Sequence, residues 1–274
     1  MARGKKSSTA GSGGMAKDGL MAIGDAEIEV VRRGAGRPLL LLPGEDMLEA
    51  DSAFVAEIAK RFEVIVPSPP GFGRSSRPDW LTEPRDLAYL LLSLMTKLDL
   101  QGVPAIGCSL GGWIAAEMAV MDERCFSRLV LIDPYGVKLG SATERDFVDL
   151  WQLSPQKRDA LKWRDPERAK RDTAKLGDDE LGRIARNLET FARLGWEPYL
   201  HNPKLKHLLY RIAAPTLVLW GEQDGIAGVD YARKYAKLIP GASLATIAEA
   251  GHCPHLEQPD IVLRRVTEFL GAAS

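Results

Sequence analysis

Cysteine is scarce in this 274-residue chain, and Cys108, Cys125 and Cys253 follow neither a zinc-ligand spacing nor the even framework of a disulfide-stapled secreted domain. A reducing compartment, the cytoplasm, is the expected setting. No run of 18 apolar residues occurs, which argues against membrane insertion. Charge of one sign is also missing: 36 Lys and Arg stand against 37 Asp and Glu, so no global field draws the chain toward nucleic acid. The N-terminal residues lack the apolar core of a secretory signal and are rich in Gly, Ser and Lys, so residues 1–22 read as a flexible arm. What remains is 45% hydrophobic and 27% charged, the balance of a folded domain large enough for one core and a small insertion.

That core reads as alternating strands and helices. Strand patterns occur at Ala26–Val31, Pro38–Leu42, Phe62–Val66, Gly102–Ile106, Phe126–Ile132, Pro215–Gly221 and Ser243–Ile247. Helical spacing lies between them, at Leu48–Lys60, Leu87–Leu98, Trp113–Met121, Val229–Leu238 and finally Ile261–Leu270. Short apolar strands separated by helices predict an α/β protein with a mostly parallel sheet flanked by helices. From 138 to 206 the pattern changes to dense charge without strands, with Phe147, Trp151, Trp163, Phe191 and Trp196 supplying inward-facing positions on short helices. The expected division is a core of residues 23–137 and 207–274 with a small helical insertion at 138–206.

The chemistry centres on Gly107-Cys108-Ser109-Leu110-Gly111, a Gly-x-Ser-x-Gly sequence with a strand before it and a helix after it. Small residues on either side permit a tight turn with Ser109 at its apex and the Leu110 N–H available to developing negative charge. A serine hydroxyl needs a base to take its proton, and the base needs an orienting carboxylate. His252 follows the last strand and Asp224 the one before it, giving the order Ser, Asp, His. His255 competes for the base role, and a second-tier or packing place is favoured for it. Taken singly, Asp224 could be a turn residue and His252 a loop hydrogen-bonding residue; their joint placement favours catalysis.

On these residues the chain resembles the alpha/beta-hydrolase superfamily over about 26–271, specifically its capped serine hydrolases such as carboxylesterases and meta-cleavage-product carbon–carbon hydrolases. Pro70-Gly71-Phe72-Gly73-Arg74-Ser75 and the run Gly251-His252-Cys253-Pro254-His255 add to the likeness. The resemblance makes 138–206 a helical cap and implies that a backbone N–H after the early strand, that of Glu45, joins Leu110 in an oxyanion hole. Many relatives carry His-Gly where this chain has Pro43-Gly44-Glu45-Asp46. The Glu45 side chain is expected to point outward, because an inward carboxylate would oppose an anion.

Gly44, Phe72, Trp113, Tyr135, Phe147, Trp151 and Trp196 are the candidate substrate contacts, with ordinary packing as the alternative for the aromatics. Arg74 either meets an acidic substrate tail or sits on a solvated loop. The expected reaction is hydrolysis of an ester, thioester or lactone of a small to medium apolar substrate through an acyl-serine, with no metal or organic cofactor called for. Carbon–carbon hydrolysis of a vinylogous diketone and a non-enzymatic small-ligand receptor on the same scaffold are the alternatives. A small-molecule partner follows from any of these, and the charged insertion leaves room for a homo-oligomer.

Overall fold

A computed structural model describes residues 18–271 apart from positions 48, 142 and 171. Its centre is β3 (Pro38–Leu42) beside β5 (Val103–Cys108), both apolar and enclosed on both faces, as strands of a doubly covered parallel sheet must be. The remaining strands are β1 (Gly19–Ile23), β2 (Ala26–Arg33), β4 (Glu63–Pro67), β6 (Phe126–Ile132), β7 (Thr216–Gly221) and β8 (Ser243–Ile247). They form one eight-stranded sheet in the order β1-β2-β4-β3-β5-β6-β7-β8, antiparallel at the β1, β2 and β4 junctions and parallel onward. This is the alpha/beta-hydrolase architecture expected from the sequence.

One boundary changes. Gly19–Ile23, placed in the arm by its Gly-rich surroundings, pairs along its whole length with Ala26–Val30, so the ordered fold begins before residue 23. The arm's residues 1–17 lie outside the described residues, as do 272–274.

Helices α1 (Ala53–Ile58), α2 (Pro84–Lys97), α3 (Leu110–Met121), α6 (Val229–Ala236), α7 (Pro254–Glu257) and α8 (Pro259–Leu270) accompany these strands. Helix α1 is shorter than the expected Leu48–Lys60: the Ser52 hydroxyl accepts from the Val55 N–H and fixes a later start, while Leu48 lies outside the described residues. Helix α2 starts earlier than expected, where Pro84 opens the first turn and Asp86 accepts the Glu83 N–H. Helix α3 is buried along nearly its whole length, which explains why it carries almost no polar face. Two apolar clusters cover the two faces of the sheet, one containing Trp113 and Leu91, the other Phe54, Val262 and Ile132.

Between β6 and β7 the chain forms short 3-10 turns with α4 (Pro155–Lys162) and α5 (Asp178–Gly195). Among the described residues no helix is long and apolar enough to cross a membrane.

Candidate active site

In a parallel sheet the loops after the strands gather at the carboxyl edge, where ligands bind in such folds. Here that edge collects Glu45 after β3, Ser109 after β5, Asp133 after β6, Asp224 after β7 and His252 after β8. Ser109 adopts φ 51° and ψ −115°, a strained turn directly into α3. The turn closes because residue 111 is glycine: a Cβ there would run into the carbonyls of Leu42, which ends β3, and of Pro43, which follows it.

Ser109 Oγ lies 2.8 Å from His252 Nε2, and His252 Nδ1 lies 2.8 Å from Asp224 Oδ2. All three side chains are buried. The other Asp224 oxygen accepts the Ile226 and Ala227 N–H groups, which fixes the carboxylate facing the imidazole. Asp133 packs behind this pair, accepting the Gly221 N–H at 3.0 Å. Its complete burial, and then the like charge of Asp224, push its carboxyl pKa well above the usual range and favour its protonated form. Asp133, Asp224 and His252 offer three ligand atoms within 4.8 Å of one another, but the Asp224–His252 contact is already engaged in the hydrogen-bonded relay.

The Glu45 side chain corrects the sequence expectation. It turns inward and is 6% exposed, with Oε2 accepting from Ser109 Oγ at 2.8 Å. Its Oε1 accepts from Lys162 Nζ at 2.5 Å, and the same ammonium reaches Asp46 Oδ2 at 2.6 Å. The physical reason for the inward turn is this buried cation, which supplies the compensation an unpaired carboxylate would lack. Burial favours the neutral acid, yet the Lys162 ammonium, followed by His252, outweighs it and lowers the Glu45 pKa to about 2. For Lys162 itself burial is likewise outweighed, by Asp46 and then Glu45, and its pKa is raised well above the ordinary value.

Lys162 is the residue that sequence reasoning missed. It ends α4, whose last turn is stitched to the loops that carry Asp224 and His252: the His252 N–H donates to the Lys162 carbonyl at 2.7 Å and the Gly225 N–H to the Leu161 carbonyl at 2.9 Å. Nothing in a charge-rich stretch marks one lysine as the buried one.

The aromatic candidates divide. Tyr135 stacks on His252 with ring centroids 5.0 Å apart and touches Phe147 and Phe191, so it joins the imidazole to the β6–β7 segment. Burial, then the Glu45 carboxylate, push its phenol well above the ordinary value and keep it an O–H. Trp151 packs edge-on to Phe191, and Phe147 packs against Tyr231. Trp113 serves the core instead, held by Gly136 against its ring and by its indole N–H on Glu117. Phe72 is fully buried in the cluster with Leu87 and Leu91. Trp196 is 61% exposed and borders a surface groove shared with Phe147, Trp151 and Tyr199. Gly44 is buried in a turn closed by the Met47 N–H on its carbonyl, beside the site. Arg74 pairs with Glu29 at 2.6 Å on an exposed loop, and His255 packs edge-on to Phe54.

Known proteins carry the same framework. A polyketide synthase, ThaQ, of Burkholderia thailandensis is 30% identical over 94% of this chain, which spans 13% of that protein's length. A poly(3-hydroxyalkanoate) depolymerase of Ectopseudomonas oleovorans is 29% identical over 85% of this chain and 84% of its own. A meta-cleavage product hydrolase from Pseudomonas fluorescens shares the fold with a TM-score of 0.76 at 20% identity, covering 93% of this chain and 98% of that one. The alpha/beta hydrolase family profile matches residues 39–265, a span that holds Glu45, Ser109, Asp224 and His252 alike, and the chain belongs to that family.

Proposed function

We propose that this protein is a serine hydrolase that cleaves an ester, thioester or lactone of a small to medium apolar substrate, with Ser109 as nucleophile, His252 as base and Asp224 as its orienting acid. The observation that supports this reading is the continuous relay from Ser109 Oγ through both nitrogens of His252 to Asp224, each step 2.8 Å. His252 Nε2 takes the hydroxyl proton as Oγ attacks the carbonyl carbon, and the Asp224 carboxylate stabilises the imidazolium that results. The Leu110 N–H, at the start of α3, serves the tetrahedral oxyanion, joined by the Glu45 N–H once that residue's carboxylate has moved away. The imidazolium then protonates the leaving group. Water deprotonated by His252 releases the acid and restores Ser109.

Residues 138–206 act in this reading as a cap over a core made of 23–137 and 207–274. Tyr135, Phe147, Phe191 and Trp151 are the apolar surfaces through which the cap and the core meet the substrate.

Steady-state hydrolysis of short and medium acyl esters, a thioester, a lactone and a vinylogous diketone tests the assignment. Turnover of an ester-type substrate that disappears in Ser109→Ala is the expected result. Undiminished turnover in Ser109→Ala would remove Ser109 from the chemistry, and turnover confined to the diketone would move the reaction to carbon–carbon cleavage.

A further inference from the structure

The Glu45 carboxylate is met by the Ser109 hydroxyl, the Lys162 ammonium and its own backbone N–H. Ser109 has one hydroxyl proton, and two acceptors stand 2.8 Å from its oxygen, Glu45 Oε2 and His252 Nε2. When the proton goes to Glu45, Nε2 can bond to Oγ only by bringing a proton of its own. Attack on a carbonyl needs the reverse, a bare Nε2 that receives the serine proton. Glu45 therefore competes with the base for the same proton, and its anion, beside Ser109 Oγ, opposes the negative charge that develops when Oγ attacks.

The same pair stands between the site and the outside. A cleft bordered by Glu45, Asp46, Arg158, Lys162, Phe191 and Ile226 reaches the ion pair, yet Ser109 is not among its walls and is 5% exposed. A substrate entering that cleft meets Glu45 and Lys162 before it meets the hydroxyl.

We propose that Glu45 is an internal carboxylate ligand of the Ser109 site, held there by Lys162, and that it sets specificity by confining acylation to substrates whose binding displaces it. This rests on Ser109 being the nucleophile. Displacement returns the serine proton to Nε2 and frees the Glu45 N–H for the substrate carbonyl oxygen. In acylation by an ester, the Oγ–carbon bond forms, the ester carbon–oxygen bond breaks, and the serine proton passes through Nε2 to the departing alcohol. The place left by Glu45, where a hydroxyl, an ammonium and a backbone N–H converge, suits a small carboxylate.

The test is the burst of p-nitrophenolate from p-nitrophenyl butyrate, measured with sodium acetate or with sodium chloride at equal ionic strength. Wild type, Glu45→Ala, Glu45→Ala/Lys162→Met and Ser109→Ala are compared, each checked for folding by its melting transition. Glu45→Ala is expected to acylate about tenfold or more faster than wild type, because the competing acceptor and the opposing anion are gone. Acetate is expected to slow Glu45→Ala selectively and to leave wild type and the double variant unaffected. The double variant also acylates faster than wild type, and it does so without leaving a buried ammonium short of its partner. A Ser109-dependent wild-type burst that neither Glu45 variant exceeds overturns the role of Glu45 while leaving the nucleophile in place. Faster acylation without selective acetate inhibition overturns the internal-ligand assignment. No Ser109-dependent burst in any protein removes the nucleophile and this proposal together.

Discussion

The His252 N–H donates to the carbonyl of Lys162 at 2.7 Å, so the residue that holds Glu45 by its side chain holds the histidine loop by its backbone. This contact needs glycine at position 251, where a Cβ would lie 2.5 Å from the Lys162 oxygen and 3.0 Å from the Arg164 nitrogen, both backbone atoms. Gly251→Ala is expected to cost about 1–3 kcal/mol in stability, the usual penalty of forced overpacking. It should also lower acylation by moving His252 relative to Ser109. Chemical denaturation and a p-nitrophenyl butyrate assay check both, and an unchanged unfolding midpoint would show that the two loops part freely.

Asp224→Asn replaces the acceptor opposite His252 Nδ1 with an amide while leaving Oδ1 able to accept from Ile226 and Ala227. An amide donating to Nδ1 favours the tautomer with its proton on Nε2, which is useless as a base for Ser109. Turnover should fall by about 10³–10⁴-fold with little change in substrate affinity. A loss of less than tenfold, measured as kcat with the fold shown intact, would mean that another carboxylate orients the imidazole.

Asp133 is the other carboxylate near enough to matter, and its own chemistry is testable through stability. Its pKa is raised well above normal by burial and then by Asp224, so the folded protein keeps a proton that the unfolded chain releases. The folded state then binds more protons than the unfolded one between the two pKa values, and stability contributed by this group falls as pH rises through that window. Asp133→Asn keeps an acceptor for the Gly221 N–H but carries no titration. Urea titrations from pH 4 upward should show Asp133→Asn gaining on wild type as pH rises, until the folded carboxyl itself ionises. A difference independent of pH would show that Asp133 is ionised in the fold.

What the sequence made legible follows from distance along the chain. Ser109, Asp224 and His252 each stand within a few residues of an apolar strand, so the strand pattern and the chemical motif located them together. Glu45 lies as close to β3, yet its inward orientation depends on Lys162, 117 residues away, and no local pattern carries that information. Within the charged insertion at 138–206, Arg145, Lys170 and Lys175 are exposed to solvent, whereas Lys162 differs because α4 ends against the histidine loop. Strand β1 was obscured in a similar way. At the sheet edge Leu20 and Ala22 are exposed and only Ile23 is buried, and the pairing with β2 rather than any strong alternation of residue type makes this segment a strand.

The buried Glu45–Lys162 pair also predicts how the fold responds to acid. Glu45 titrates at about 2 in the folded protein against an ordinary value of 4.5, so the folded state holds its carboxylate ionised after the unfolded chain has begun to take up a proton. Stability from this group is therefore complete above the unfolded value and is lost as pH falls through the folded one. The displacement corresponds to about 3 kcal/mol when fully expressed. Glu45→Gln removes the titrating group and keeps its shape, so the stability advantage of wild type over Glu45→Gln should be constant from about pH 8 to 6 and smaller by about 1 kcal/mol at pH 3.5. Urea unfolding at these pH values measures the difference directly. An advantage that does not change on acidification would mean that Glu45 is protonated or unpaired in the folded protein, and the proton competition at Ser109 would lose its anion.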